Sequence, residues 1–169
     1  MRKVTCTVVF LLDRRKRRVF MGRKTKEIGV GCYTGPGGKV ETGESLRASA
    51  VREIAEEIGV LIFEDNLEKM AIVAFQNGPD LEVTVHFFLA DRFEGTPRNS
   101  EEMVRGRWFP LWRLRFFPWT INMMAADKLF LPGVFAGKKI IGSVVYQEGS
   151  NQGVVLDSEF WELSMFPPD

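Results

Sequence analysis

Three glutamates, Glu53, Glu56 and Glu57, are the residues of this sequence best suited to chemistry. They lie in a stretch, residues 45–58, that contains no Gly or Pro, and Gly59 follows where a left-handed cap is expected. The stretch therefore predicts a helix.

At about 100° per residue the three carboxylates fall close together on this helix. Like charges at this spacing repel each other, whereas a hard cation such as Mg²⁺ binds carboxylate oxygens. The cluster indicates a cation site, and a solvated acidic helix face is the alternative.

A glycine-rich loop precedes this predicted helix. Residues 29–38 contain five glycines, which favours unusual dihedral angles or a close approach between the backbone and a ligand. Such a loop can offer amides to phosphates and a carbonyl oxygen to a metal. Arg52 lies one turn before Glu56 and is spaced to pair with a carboxylate and orient it.

Composition limits the class of protein. The 169 residues are 45% hydrophobic and 27% charged, with a formal net charge of +1, as in an ordinary globular domain. This charge gives no global field that would recruit a nucleic acid polymer or a membrane. The two cysteines form no disulfide framework, and no apolar run approaches the length of a membrane span. We expect one domain, residues 1–169, in the cytoplasm.

Hydrophobic patterning predicts how the chain supports these residues. A helix is predicted at Ile121–Phe130, and no element is predicted in the aromatic, proline-broken segment Pro110–Trp119. Turns are predicted at residues 13–18, 76–80 and 148–151. Strands are predicted at Val4–Leu12, Val19–Met21, Lys69–Phe75, Val83–Ala90, Arg107–Phe109, Lys138–Tyr146 and Gly153–Leu163.

The full motif is more specific than the glutamates alone. Gly38, five residues, Glu44, seven residues and then residues 52–60 match G-x5-E-x7-R-E-U-x-E-E-x-G-U at every fixed position, where U is aliphatic. This pattern resembles the signature of the Nudix hydrolases. The resemblance implies an α/β (α+β) fold, the Nudix α/β/α sandwich, in which a mixed, curved sheet lies between helices.

Almost the whole chain resembles one branch of that family, the oxidised-purine nucleoside triphosphate hydrolases. The resemblance implies hydrolysis of modified purine nucleoside triphosphates such as 8-oxo-dGTP to a nucleoside monophosphate and pyrophosphate. Mg²⁺ is the implied cofactor, with Mn²⁺ as the alternative, in a monomer or homodimer. Two other functions stay open: hydrolysis of ADP-ribose or a dinucleoside polyphosphate, and nucleotide sensing without turnover. The similarity includes Gly35 and Gly37–Val40, Glu94–Pro97, Ser100, Glu102–Met103, Arg107–Phe109, Leu131–Pro132 and Gly142.

The resemblance also implies roles for individual residues. Arg52 would orient a glutamate of the motif, and Glu44 would fix the loop geometry by hydrogen bonding. The base that removes a proton from water would be Glu57 or Glu102. The implied metal ligands are Glu53, Glu56, Glu57, Glu102 and the carbonyl of Gly37.

Recognition of the base is the part of the resemblance that differs in this chain. The animal enzymes read the purine with an asparagine before the glycine turn and a Trp-Pro-Asp-Asp run. Thr34 and Met124-Ala125-Ala126-Asp127 stand at these positions here. Trp119, Tyr33 and Phe75 are the candidates for stacking on the base. The implied substrate-binding residues are Thr7, Lys24, Thr34, Gly37, Gly38, Lys39, Met124 and Asp127.

Overall fold

A mixed eight-stranded sheet forms the centre of the protein in the computed structural model, which describes residues 1–27, 29–150 and 153–167. The helices are α1 (Leu46–Ile58), α2 (Leu111–Phe116) and α3 (Asp127–Phe135). The strands are β1 (Arg2–Asp13), β2 (Arg18–Lys24), β3 (Tyr33–Thr34), β4 (Leu67–Asn77), β5 (Leu81–Ala90), β6 (Met103–Pro110), β7 (Lys139–Tyr146) and β8 (Val155–Leu163).

The strand order is β3-β2-β1-β5-β4-β7-β8, and β6 pairs with β2 outside this path. The β1–β5 and β4–β7 pairs are parallel, and the other strand pairs are antiparallel. Because β6 runs along the length of β2, strands β1 and β3 share the opposite edge of β2. This arrangement brings the end of the glycine-rich loop beside β1.

Side-chain alternation along the strands builds a hydrophobic core on each face of the sheet. On one face, Ile54 and Ile58 of α1 pack with Val9 and Leu11 of β1. On the other face, α2 and α3 cover the alternate strand residues, and Phe130 of α3 is 1% exposed. The predicted arrangement, a mixed sheet between helices, is therefore confirmed.

The ends of α1 are fixed by local contacts, of which the sequence predicts the cap at Gly59. The Ser45 hydroxyl accepts a hydrogen bond from the Ala48 N–H at 3.0 Å and caps the first turn. Gly59 has φ 69° and donates its N–H to the Ala55 carbonyl at 3.0 Å, as a left-handed cap requires. The helix that carries the three glutamates is thus held at both ends.

The predicted helix Ile121–Phe130 is wrong in position. Residues 121–126 are not helical, and α3 begins at Asp127 and continues to Phe135. Buried apolar residues such as Met123 suit an extended segment as well as a helix, so the pattern could not separate the two. The segment Pro110–Trp119, predicted to lack an element, contains α2.

The predicted strands are all present, most with longer bounds than the sequence indicates. The final hairpin is formed by β7 and β8, but residue 151 of its predicted turn, 148–151, lies outside the described residues. No helix in the described part of the chain is long and apolar enough to cross a membrane.

Candidate active site

The glycine-rich loop lies against β1 through backbone hydrogen bonds. The Thr7 N–H donates to the Gly38 carbonyl at 2.9 Å, and the Val9 N–H donates to the Pro36 carbonyl at 2.8 Å. A Cβ at Gly37 would lie 2.0 Å from the Thr7 carbonyl oxygen. Glycine is therefore required here by the close approach of two backbones.

The same loop contacts two of the three glutamates on α1. The Gly37 N–H donates to Glu57 Oε2 at 2.9 Å, and a Cβ at Gly38 would lie 2.4 Å from Glu53 Oε1. Both carboxylates are consequently packed against the loop, and the Gly37 backbone holds one of them by a charge-assisted hydrogen bond. Glu56 is on the exposed side of the helix, with 62% of its side chain accessible.

Arg52 organises the open side of this cluster. Its Nε and Nη2 donate to the two carboxylate oxygens of Glu44 at 2.9 and 3.0 Å. Its Nη1 donates to Glu53 at 2.9 Å and to Glu56 at 3.3 Å. The bidentate contact lowers the pKa of the Glu44 carboxyl to about 2. Glu44 also accepts the Glu41 N–H at 3.1 Å, so it fixes the turn before α1.

Burial shapes the ionisation of the innermost glutamate. Glu57 is 8% exposed, and desolvation raises its pKa to about 7, opposed by the Gly37 N–H and reinforced by the charges of Glu53 and Glu102. Desolvation also raises the pKa of Glu53. Carboxylates that raise each other's pKa in a half-buried place form an environment that a cation would stabilise.

Glu102 comes from a separate loop before β6 and has an ion pair of its own. Its carboxylate accepts from Lys26 Nζ at 3.1 Å, and 56% of its side chain is exposed. The loop is shaped by the Ser100 hydroxyl, which accepts from the Glu102 N–H at 3.3 Å and the Met103 N–H at 3.2 Å. The Thr25 N–H donates to the Glu102 carbonyl at 3.1 Å, which ties this loop to the end of β2.

The donor atoms suit a hard divalent cation, although they are not arranged as a finished site. Carboxylate and carbonyl oxygens are the ligands that Mg²⁺ and Mn²⁺ prefer. Within the described residues, no group of three acidic, histidine or cysteine side chains converges to hold a metal. The physical reason lies in the ion pairs: Arg52 engages Glu53 and Glu56, and Lys26 engages Glu102. Cation binding would have to displace these pairs.

A second group of predicted residues surrounds Asp127 at the start of α3. Asp127 is 5% exposed, and its carboxylate has no hydrogen bond to another described residue. Burial raises its pKa to about 7, and the charge of Lys24 opposes that shift. The charge of Lys24 also lowers the pKa of Glu57, and the Lys24 side chain lies beside Gly29, where a Cβ would be 3.9 Å from its Cδ. Met124 lies beside Gly29, where a Cβ would be 2.9 Å from the methionine sulfur.

The other predicted substrate residues lie at different depths. Thr34 is half-buried and pairs in register with Gly22. Lys39 is exposed, and its carbonyl accepts from Arg52 at 3.3 Å. Thr7 is 0% exposed and its hydroxyl has no hydrogen-bond partner. Alternation along β1 puts Thr7 on the α1 side of the sheet, whereas α3 covers the opposite side.

The three aromatic candidates for stacking differ in their surroundings. The Phe75 ring is half-buried and stacks on Tyr146, with 5.9 Å between centroids and 8° between planes. The Tyr33 ring packs edge-on against Phe109 at 5.0 Å in the core. Trp119 is 66% exposed. Of the three, Phe75 has a neighbour, Tyr146, on which the charge of Asp127 acts.

Sequence reasoning missed Lys26 and Tyr146. Lys26 follows Lys24 by two residues in a polar segment, and no spacing links it to Glu102, which is 76 positions away. Tyr146 ends an alternating strand and reads as an ordinary core residue. A buried hydroxyl beside an acid gives no local sequence signal.

Comparisons with known proteins agree with this geometry. The NUDIX domain model matches residues 1–129. The chain is 34% identical over 162 residues to the oxidized purine nucleoside triphosphate hydrolase of Mus musculus, covering 95% of this chain and 96% of that protein. It is 37% identical over 131 residues to the protein of the same name from Danio rerio, covering 77% and 80% of the two chains.

A solved structure shows the same fold. The mutator MutT protein of Bacillus halodurans superposes with a TM-score of 0.73 at 22% identity, covering 93% of this chain and 97% of that chain. The family model and the relatives that span nearly the whole length lead to one conclusion: the chain belongs to the Nudix hydrolase family.

Proposed function

We propose that the protein is a Mg²⁺-dependent pyrophosphohydrolase of modified purine nucleoside triphosphates such as 8-oxo-dGTP, with a role in nucleotide-pool sanitation. The products are a nucleoside monophosphate and pyrophosphate. The name of the Mus musculus relative, which matches 95% of the chain, supports this substrate class. Nudix hydrolases generally use divalent metals, and the all-oxygen donor set of this chain favours Mg²⁺, with Mn²⁺ as the alternative.

One observation carries the proposal. The charge of Lys24 acts on both Glu57 and Asp127. A triphosphate requires cations beside its phosphates, whereas a purine requires a polar group in an apolar pocket. A basic residue whose charge reaches both carboxylates supports a substrate that carries phosphates and a base.

The chain's residues contribute to hydrolysis by orientation and by proton transfer. When bound, a divalent cation neutralises charge on the phosphoanhydride and makes a bound water more acidic. Glu57 is suited to accept a proton near neutral pH because burial raises its pKa to about 7. Glu102 is the second candidate for this base, since its loop carries it toward the same carboxylates. Arg52 and Glu44 hold the open side of the cluster in place.

A nucleotide panel tests the proposal. Oxidised, methylated and normal purine triphosphates are incubated with the protein and Mg²⁺, and the release of pyrophosphate and orthophosphate is measured separately. We expect pyrophosphate, with the fastest turnover on a modified purine. Omitting the metal, or adding EDTA, should abolish the release.

Other outcomes of the panel identify the alternatives. Cleavage of ADP-ribose or a dinucleoside polyphosphate, with no pyrophosphate release from any triphosphate, would contradict the proposed substrate. Hydrolysis of a phosphoanhydride, the chemistry of the family, would still hold. Binding of nucleotides without any turnover would indicate a sensing domain. The presence of Glu53, Glu56 and Glu57 together speaks for turnover, because a sensing domain has no need of all three.

A further inference from the structure

Tyr146 places a buried hydroxyl beside Asp127. The residue ends β7, is 4% exposed and pairs in register with Asn77 of β4 and Val155 of β8. Its hydroxyl oxygen is inaccessible and makes no hydrogen bond of ordinary geometry with the described residues, although the main chain of Ala126 approaches it. Packing holds the Tyr146 ring in place, whereas its hydroxyl oxygen has no hydrogen-bond partner among the described residues.

Packing alone does not account for this hydroxyl. The Tyr146 ring stacks on Phe75, with centroids 5.9 Å apart and an interplanar angle of 8°. A phenylalanine would make the same stack without burying a polar atom. An unsatisfied buried hydroxyl costs about 1–3 kcal/mol. The hydroxyl is therefore a local cost to stability that some other role must offset.

The surroundings of the hydroxyl indicate what it can bind. Burial raises the pKa of Tyr146, and the negative charge of Asp127 raises it further, so the phenol keeps its proton at neutral pH and is a hydrogen-bond donor. Asp127 is 5% exposed, and its carboxylate has no hydrogen bond to another described residue. No hydrogen bond joins the two groups. The Tyr146 hydroxyl thus lies by the main chain of Ala126, the residue before Asp127, and has unused capacity as a donor, while the Asp127 carboxyl offers acceptor oxygens.

The Tyr146 hydroxyl and the Asp127 carboxylate are complementary to one edge of a purine. A 6-oxopurine presents a carbonyl oxygen next to a ring N–H, which need a donor and an acceptor respectively, whereas a 6-aminopurine presents the opposite order. We propose that the Tyr146 hydroxyl is a specificity-determining contact that donates to the carbonyl oxygen of a 6-oxopurine while Asp127 accepts from the adjacent N–H. The inference rests on the proposed function, because it takes the nucleotide pocket to be the region around Asp127.

The test removes one oxygen atom. Tyr146→Phe and wild type are compared on a 6-oxopurine triphosphate, 8-oxo-dGTP, and a 6-aminopurine triphosphate, 8-oxo-dATP, with kcat and KM determined separately. We expect kcat/KM for the 6-oxopurine to fall by about 10- to 200-fold, and the value for the 6-aminopurine to change less than threefold. Thermal unfolding should show an equal or higher Tm, because the variant loses an unsatisfied hydroxyl.

Ser143→Ala is the control, because it removes an exposed hydroxyl from β7, the strand that carries Tyr146. It should leave the ratio between the two substrates unchanged. An unaltered ratio in Tyr146→Phe, or an equal loss on both substrates together with a lower Tm, would overturn the inference.

Binding separates this inference from the proposed function. The affinities of wild type and Tyr146→Phe for 8-oxo-dGMP are measured by calorimetry, which requires no turnover. If wild type hydrolyses no triphosphate but binds this nucleotide at least tenfold more tightly than the variant, the inference stands and the proposed function fails. If wild type hydrolyses triphosphates and the two affinities agree, the proposed function stands and the inference fails.

Discussion

The acidic region around α1 and the region of Asp127 and Tyr146, called the pocket region because we propose that it binds the base, are built in opposite ways. In the acidic region every charged group has a partner: Arg52 joins Glu44, Glu53 and Glu56, and the Gly37 N–H holds Glu57. In the pocket region, Asp127 is 5% exposed, and the Tyr146 hydroxyl is buried without a hydrogen-bond partner among the described residues. One region is internally satisfied, and the other has unused hydrogen-bonding capacity.

The contrast separates the chemistry from the selectivity. A network of charges that pairs within the protein can serve any phosphoanhydride, because its contacts do not depend on the leaving nucleoside. Unsatisfied buried groups destabilise the free protein and are satisfied only by a ligand of the right shape, which is how a site rejects the wrong substrate. Substitutions should therefore affect turnover in one region and substrate ranking in the other.

The largest effect is expected from Glu57→Gln. The change removes the negative charge of the carboxylate that accepts the Gly37 N–H. Turnover should therefore fall by about 10²- to 10⁴-fold, as for loss of a proton acceptor. Pyrophosphate release on several nucleotides measures it, and their ranking should not change. Glu64→Gln, in an exposed turn, is the control. Near-normal turnover with Mg²⁺ would contradict the assignment of Glu57.

Asp127→Ala should produce the complementary result. A pocket that loses a buried acceptor loses discrimination among bases by roughly 10- to 200-fold, while the fastest turnover on any triphosphate should fall far less. The readout is the ratio of kcat/KM between 8-oxo-dGTP and dATP. An unchanged ratio would remove Asp127 from the recognition site.

Arg52→Lys should have an intermediate effect on turnover. Lysine cannot make the two parallel bonds from Nε and Nη2 to Glu44, and loss of such a supporting contact typically costs about 10- to 100-fold in activity or metal affinity. Titrating the activity with Mg²⁺ measures both kcat and the Mg²⁺ requirement. If the Mg²⁺ requirement and kcat are unchanged, Arg52 has only a structural role.

Asp127 should also make the stability of the fold depend on pH. Its folded pKa of about 7 lies above the ordinary value of roughly 3.9. The carboxyl therefore stabilises the folded state fully below about pH 4, and this contribution is lost as the pH rises toward 7. Relative to Asp127→Asn, wild type should lose up to about 4 kcal/mol of unfolding free energy between pH 4 and pH 8. Urea unfolding of both proteins at these pH values measures the difference. A constant difference would show that Asp127 ionises normally.

The smallest effect is expected from Trp119→Ala. Trp119 is 66% exposed and contacts Phe117 rather than the pocket region, so the ranking of nucleotides should change by less than about twofold, within the scatter of surface substitutions. Phe75→Leu is the contrasting variant, because its ring stacks on Tyr146. If Trp119→Ala alters the ranking more than Phe75→Leu, the pocket is bounded by a different surface.

The sequence predicts the acidic region better than the pocket region for a physical reason. Residues 45–59 encode their helix, its two caps and the pairing of Arg52 with Glu56 within a few positions of each other. Local spacing therefore carries that information. The strands follow from alternation, although the pattern does not set their exact ends.

The pocket region depends on contacts that no short spacing encodes. The sequence pattern places the start of α3 too early, because Met123 and its neighbours suit either an extended or a helical segment. The nearness of Asp127 to Tyr146 arises from the packing of α3 on a strand that comes later in the chain. Likewise, the pair between Lys26 and Glu102 joins loops that are 76 positions apart.

The parallel pairing of β7 with β4 has a consequence for the order in which the protein assembles. The Gly37–Glu57 hydrogen bond spans 20 positions, whereas Tyr146 reaches its place beside Asn77 only after a long crossover. Closing longer loops costs more entropy, and parallel pairing is slow. We expect the glycine-rich loop and α1 to become protected from amide exchange before β7 docks. A newly made chain would then have the parts for hydrolysis before it has the means to choose a base.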